Sequence, residues 1–403
     1  MNSEQKFFLK ILSQHINNEK SEVIPDGIDL KLLVRYAQNH QLAGITYYQL
    51  SNYFKDRKQD SLNNSLKKYF GSDVFSYINR KTIIGKISEE FSKQGIPFFF
   101  VKGVVIAELY PKPELRSMGD ADIIIRQQDR TKSHNIMLGL GLTCPQTYIN
   151  EWVYVYDGME FEIHTALCYD SIINTDKLSD YFNNFWQYVY EKDGVSILDI
   201  NFHFLYLIFH IRKHILYLGV GFRQFLDIAV LVENKGAVMN WAWITEQLEC
   251  IGLLEFAKVC FALIERWFDV KSPIESNALD DDFFDIVTEK TFDSGVFGFS
   301  ATKEQYNSLV NIAMKSDKGA NIFTMVKLAL SRLFPGYDEI IKDGRYRDMV
   351  YKKPYKLPMV WVLRQYRSVK NRGMYYGVKQ VKNSFASKKT LDGEIDIIKK
   401  WGL

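Results

Sequence analysis

The dipeptide Asp157-Gly158, set between the alternating apolar runs WVYVY and MEFEIH, constrains this chain more than any other local feature. A two-residue Asp-Gly connection suits a turn with positive φ at both positions, so 152–164 is predicted to be an antiparallel hairpin. A lone hairpin cannot cover its own apolar face, so it needs neighbouring elements. The preceding segment supplies them. PFFFV at 97–101 and ADIIIR at 121–126 are short apolar runs suited to buried strands. Between them GVVIAELY, 103–110, reads as a helix that Pro111 and Pro113 end, and 129–142 as a helix opened by an Asp129 cap. Strand, helix, strand, helix and hairpin form an α/β unit of about 110 residues with a mixed sheet.

Helical patterning flanks this unit. Leu30, Leu32, Leu33 and Tyr36 begin one apolar face, LAGITYYQL continues it at 42–50, and a long amphipathic stretch runs from about Leu62 to Ser92. Gly95 and Pro97 then stop the helix. After Asp199 the runs HFLYLIFHIRKHILYL and RQFLDIAVLVE are helical, 280–282 reads as an acidic loop, and further helices are expected to Leu333. The last segment holds FPGYDEI, a KKPYKLP turn and a basic tail with ten Lys or Arg against three acids from Arg364 onward. A solvated helical tail explains such a run, and the interleaved Tyr366, Tyr375 and Tyr376 leave nucleic acid or an anionic membrane surface as other readings. The expected class is α+β, a small mixed-sheet core between helical regions. Its segments are 1–94 (N-terminal helices), 95–200 (α/β core), 201–333 (helical domain) and 334–403 (C-terminal segment).

Composition bounds what this architecture serves. The 403 residues exceed one small core, while 47% hydrophobic and 25% charged residues are ordinary globular usage. A net charge of +3 gives no whole-protein field for nucleic acid. Cys144, Cys168, Cys250 and Cys260 are too scattered for a zinc knuckle or a disulfide framework. The N-terminus MNSEQKFFLKILSQ lacks a signal peptide's apolar stretch, and charges break every apolar run short of a membrane span. A cytoplasmic protein with reduced thiols and no integral membrane segment is expected.

The chemistry is concentrated at Asp120-Ala-Asp122, at the mouth of a predicted strand, and at Glu162 on the second arm of the hairpin. Strand residues i and i+2 share a face, so the two aspartates project side by side and Glu162 can join them. Convergent carboxylates bind hard divalent cations such as Mg²⁺ or Mn²⁺, which recruit substrate phosphates. Two such ions about 4 Å apart activate an attacking oxygen and neutralise an α-phosphate and its pyrophosphate leaving group. Glu160 competes for the third position but lies nearer the turn. Lys102-Gly103 ends the first strand and opens a helix, which offers a cation, close backbone approach and free N–H groups. Arg116, four residues before Asp120, can grip phosphate bidentately.

The string FVKGVVIAELYPKPELRSMGDADIII, with FEIH about forty residues on, resembles the polymerase-β-like nucleotidyltransferase superfamily. More narrowly, it is similar to an uncharacterised bacterial nucleotidyltransferase family with a Lys-Gly pair, an Arg before Asp-x-Asp and a third-acid strand ending in His. That family also carries a helical His-x-x-x-His and an Arg-x-x-x-Asp, matched here by His210, His214, Arg223 and Asp227. The resemblance implies transfer of a nucleoside monophosphate from an NTP to an acceptor, with Asp120, Asp122 and Glu162 on two Mg²⁺ or Mn²⁺ ions. Lys102, Gly103, Arg116 and Arg223 would bind nucleotide. The acceptor could be a small molecule, a sugar, a protein side chain or an RNA end. Where the superfamily has Gly-Gly or Gly-Ser, this chain has Lys102-Gly103-Val104, so the triphosphate must be gripped differently.

Bland readings stand beside these. His164 orients a carboxylate or is a half-buried structural histidine. His210 and His214 line a pocket or pack a helix; Arg212-Lys213 between them removes the glutamate a hydrolytic zinc site needs. Arg223 and Asp227, also i,i+4, pair with each other, or else Arg223 reaches phosphate and Asp227 serves as an acceptor-side base. The alternative function is a non-catalytic nucleotide-binding or interaction module on the same fold.

Overall fold

The computed structural model describes residues 1–20, 23–55, 61–168, 176–192, 194–217, 219–276, 278–296, 330, 333–341, 344–372 and 388–403. Five helices come first: α1 (Ser3–Ile16), α2 (Leu30–Asn39), α3 (Ala43–Gln49), α4 (Ser51–Phe54) and α5 (Ser61–Lys93). Asn2 and Gln5 close a reciprocal capping box on α1, and the Asp29 carboxylate caps α2. The 33-residue α5 follows the predicted amphipathic stretch and ends just before Gly95, whose φ is +64°.

The mixed sheet consists of β1 (Phe98–Phe100), β2 (Asp120–Ile125), β3 (Thr143–Thr147), β4 (Glu151–Tyr156) and β5 (Met159–His164), in spatial order β1-β2-β5-β4-β3. Between them lie α6 (Gly103–Ala107) and α7 (Arg130–Gly139). The predicted hairpin is β4–β5, with Asp157 at φ +48° and Gly158 at +74°. The α+β class and mixed sheet are as expected. Strand β2 runs parallel to β5 and antiparallel to β1, and their register sets Asp120 beside Glu160, Asp122 beside Glu162 and Ile124 beside His164. Edge strand β3 was not foreseen: its sequence TCPQT has no apolar alternation, and Pro145 sits where the register to β4 shifts. The expected Asp129 cap is also corrected. Its side chain makes no capping bond, because a short 3₁₀ turn over Gln127–Asp129 leads into α7.

One sheet face, with Ile123, Ile125, Phe161 and Ile163, packs on Ile83, Ile87 and Phe91 of α5 and Met137 of α7. The other faces a helical layer. After α8 (Asp176–Asn183) and the ribbon β6 (Val189–Lys192) and β7 (Val195–Leu198) come α9 (Ile200–Tyr217), α10 (Phe222–Lys235), α11 (Trp241–Cys250), α12 (Leu254–Phe268) and α13 (Asp281–Ser294). Phe8 of α1, Phe222 of α10 and Phe292 of α13 meet in one core, so the N-terminal helices and those after the sheet share it. The run 280–282 is not a loop. Asp280 caps α13, and Asp281 and Asp282 sit in its first turn, where the helix dipole favours negative charge. The helices expected over 297–329 lie outside the described residues. Nor is the tail wholly solvated: after helix Lys388–Lys400, Trp401 is buried against Phe225, Phe256 and Phe283.

Candidate functional site

The β2–β5 register fixes the site. Because the two strands are parallel and in step, Asp120 and Asp122 share a face with Glu160, Glu162 and His164, and β4 adds Glu151 opposite His164. A cavity of about 450 Å³ opens between this face and helices α9 and α10. Residues Lys102, Gly103, Arg116, Asp120, Asp122, Glu162, His164, His210, His214, Arg223 and Asp227, scattered over 126 positions of sequence, all line it.

Asp122 lies at its floor. Its Oδ1 accepts from Lys102 Nζ at 2.6 Å and lies 3.0 Å from His164 Nε2, which is also 3.2 Å from Glu162 Oε2. Burial works against ionising the Asp122 carboxyl, but the Lys102 ammonium and His164 hold it well below the usual carboxylate range. Burial likewise opposes charge on His164, yet its bonds to Asp122 and Glu162 raise it to about 9. Glu162 is shifted upward by burial, with His164 opposing. Asp122, Glu162 and His164 bring one donor atom each within 4.8 Å of one another, and Asp120 opens onto the same cavity outside that compact set. Two carboxylates and an imidazole suit Mn²⁺ as well as Mg²⁺. The two carboxylates therefore fit a divalent ion, and His164, expected only beside the acids, joins the donor set once an ion displaces its proton.

Lys102 is held in a strained backbone. Its φ of 54° and ψ of −126° match the first central position of a type II′ turn, which glycine normally takes, at a cost of about 1–3 kcal/mol for another residue. The Lys102 N–H donates to His203 Nε2 at 2.9 Å, and His203 is neutral because burial lowers its pKa to about 4. Sequence reasoning passed over His203. Its signal was the spacing: His203, His210 and His214 recur at helical intervals on the mostly apolar α9.

The cations are partnered in unexpected ways. Arg116 grips Asp227 with two bonds, Nε–Oδ1 at 3.2 Å and Nη2–Oδ2 at 2.6 Å, while Tyr110 donates to Asp227 Oδ1 at 2.7 Å. Hence Asp227 does not pair with Arg223 one turn away. Arg223 donates to Gln41 Oε1 at 2.8 Å and the Ser117 carbonyl at 3.1 Å, and among the described residues it makes no ion pair although it is buried. Gly103 is required by a neighbour: any Cβ there would strike the Arg116 guanidinium. His210 and His214 face each other, Nε2 to Nε2, at 2.9 Å, and burial, with Lys102 and Lys213 nearby, depresses both pKa values, that of His214 to about 3. These are neutral wall groups.

Arg80 carried no readable signal. It is a buried cation on α5 that donates to the Glu160 carbonyl at 2.7 Å and to the Met118 and Gly119 carbonyls at 3.2 Å, tying the starts of β2 and β5 to one side chain. Glu151 and Lys213 also line the cavity and were not anticipated.

A family model described as an uncharacterised nucleotidyltransferase matches residues 26–269, a span from α2 to the end of α12 that includes every residue of this cavity except Val296. No curated protein and no solved structure matches the chain.

Proposed function

This chain belongs to the uncharacterised nucleotidyltransferase family, and from that membership we propose that it transfers a nucleoside monophosphate from an NTP to a hydroxyl-bearing acceptor. The observation that carries the reading is the parallel β2–β5 register, which lines up Asp120, Asp122, Glu162 and His164 along one cavity floor. Held by Asp120, Asp122 and Glu162, with His164 beside them, Mg²⁺ or Mn²⁺ would supply Lewis-acid stabilisation of the α-phosphate and lower the acceptor hydroxyl's pKa.

The chain's own groups do the rest. Arg223, which lines the cavity and among the described residues makes no ion pair, offers its guanidinium to the triphosphate. Lys102 adds a second cation on the same floor, its amine presented by the strained turn that His203 stabilises. Arg116 overlies Gly103 and is kept rigid by Asp227, so it offers a preorganised positive surface to phosphate rather than a mobile clamp. Asp227, with both oxygens engaged, is the holder of Arg116 and not an acceptor-side base. Glu162, which burial makes more basic, takes the acceptor's proton. The acceptor oxygen then bonds to the α-phosphorus, the bond to the bridging oxygen breaks, and its electron pair leaves with pyrophosphate.

The ion pair of Lys102 with Asp122 favours one second reading, a module that binds nucleotide without turning it over, because the ammonium occupies an oxygen a metal would use. Both are tested by incubating the protein with α-labelled NTPs, Mg²⁺ or Mn²⁺ and a cell extract, alongside the Asp120→Ala/Asp122→Ala double variant. Label transfer lost in the variant supports the enzyme. Micromolar binding of all four NTPs without transfer supports the module.

A further inference from the structure

Away from the cavity, the C-terminal segment builds a small basic unit with an apolar stripe facing solvent. Helices Tyr337–Ile340 and Gly344–Val350 precede a 3₁₀ turn, Pro354–Lys356, which leads into helix Leu357–Arg372. Ile340, Tyr346, Val350 and Val360 form its core, and the Trp361 indole donates to the Pro335 carbonyl at 2.8 Å. With Val360 and Trp361 turned inward, the opposite side of the same helix is left in water. There Met359 is 47% exposed, Val362 68% and Tyr366 63%, and Tyr355, in the 3₁₀ turn just before the helix, is 74% exposed. The spacing of three and four residues sets Met359, Val362 and Tyr366 on one line along the helix.

The surroundings of the stripe are cationic. Residues 344–372 include nine Lys or Arg and a single acid, Asp348. Lys352 and Lys353, just before Tyr355 in the chain, are exposed, and Arg367 lies over the Tyr346 ring on the other side of the helix. A line of large apolar side chains costs free energy in water unless something covers it, and the flanking cations limit what can. A second copy brought up face to face would set like charges against like. Single-stranded RNA would use the tyrosines as stacking platforms, but Met359 and Val362 at the centre offer no aromatic face, and an apolar centre suits a solvated phosphate backbone poorly.

We propose that this stripe docks on an anionic lipid surface. Tyr355, Met359, Val362 and Tyr366 would enter the boundary between headgroups and acyl chains, while Lys352 and Lys353 meet lipid phosphates. The contact is interfacial: among the described residues no helix is long and apolar enough to cross a membrane. The inference is independent of nucleotide chemistry, since the cavity and the stripe share no residue.

The test is co-sedimentation of the full chain with vesicles of phosphatidylcholine alone and of phosphatidylcholine mixed with phosphatidylglycerol. Capture is expected only by the anionic vesicles, and it should weaken as salt rises. Met359→Ser/Val362→Ser and, separately, Lys352→Glu/Lys353→Glu should each lower partitioning at least roughly tenfold with an unchanged far-ultraviolet circular dichroism spectrum. No capture by anionic vesicles overturns the proposal. So does equal capture by both vesicle types, or undiminished capture of the folded variants. Binding of a single-stranded RNA oligonucleotide through these side chains, without vesicle capture, assigns the surface to RNA instead. The two-vesicle comparison on the unaltered chain decides the matter even where a variant misfolds.

Discussion

The two faces of the five-stranded sheet are made of alternate residues on the same strands, yet different forces hold them. On the α5 side, Ala121, Ile123, Ile125, Phe161 and Ile163 are almost fully buried against other apolar groups, and the face is stabilised by area removed from water. On the α9 side, Asp122 and His164 are just as buried, but each is charged and tolerable only because a partner of opposite sign touches it. The apolar face tolerates any partner of the right volume. The polar face works only with particular atoms at particular distances, several supplied by helices far away in sequence. Arg80 joins the two regimes, because it rises from α5 to hold the carbonyls at the strand starts where the acids begin.

Four experiments test that contrast. The largest effect is expected from Asp122→Asn, which keeps the shape but removes the charge. Label transfer should fall on the order of 10³-fold, an amount that loss of electrostatic stabilisation at the reacting phosphate can account for. Transfer retained within a few-fold would end the metal-floor reading. On the other face, Phe161→Ala should cost about 3–5 kcal/mol of stability, measured by urea denaturation, while activity per folded molecule stays near its original value. A large loss of specific activity there would show that the faces are not energetically separable.

Arg80→Met should fall between these extremes. Leaving three carbonyls without their cationic donor should cost about 2–3 kcal/mol, and kcat should drop roughly tenfold with little change in the KM for NTP. A stability loss with unaltered kcat would make Arg80 a structural staple alone. The smallest effect is in the helical layer, where His15 and His40 are buried and burial lowers both pKa values from 6.5 to about 4. The unfolded chain then binds more protons than the folded one between those values. The contribution of these two histidines should be level above about pH 6.5 and fall as pH drops toward 4, by about 1.4 kcal/mol per pH unit for each. Replacing His40 with Gln should remove one such share of the slope, and an unchanged slope would show that the fold admits the imidazolium.

Much of the sheet was legible because it rests on short-range signals. Asp157-Gly158 between alternating runs defined β4 and β5, and the apolar runs PFFFV and ADIIIR defined β1 and β2. What escaped had no such signal. In β3, TCPQT gains its strand conformation from β4 and not from its own residues. The acids 280–282 read as a loop by composition, whereas the helix that begins there uses them as cap and first turn. In the site, Asp120, Asp122 and Glu162 were found because strand periodicity makes their common face a local property. Arg80 was not, since carbonyls 38 to 80 positions away leave no mark in the sequence around it. For His203 only its spacing with His210 and His214 was legible, not its bond to the Lys102 N–H 101 positions away.

The hairpin, the α+β class and the common face of Asp120, Asp122 and Glu162 follow from the sequence, because turn chemistry and side-chain alternation act over two to ten residues. The tertiary structure alone decided who partners whom. Parallel pairing of β2 with β5 put His164 between Asp122 and Glu162; docking of α10 gave Asp227 to Arg116 and left buried Arg223 bonded to Gln41 and the Ser117 carbonyl. The physical reason is that Coulomb and hydrogen-bond energies depend on separations of a few ångströms. Such distances are fixed only when elements distant in the chain have packed together.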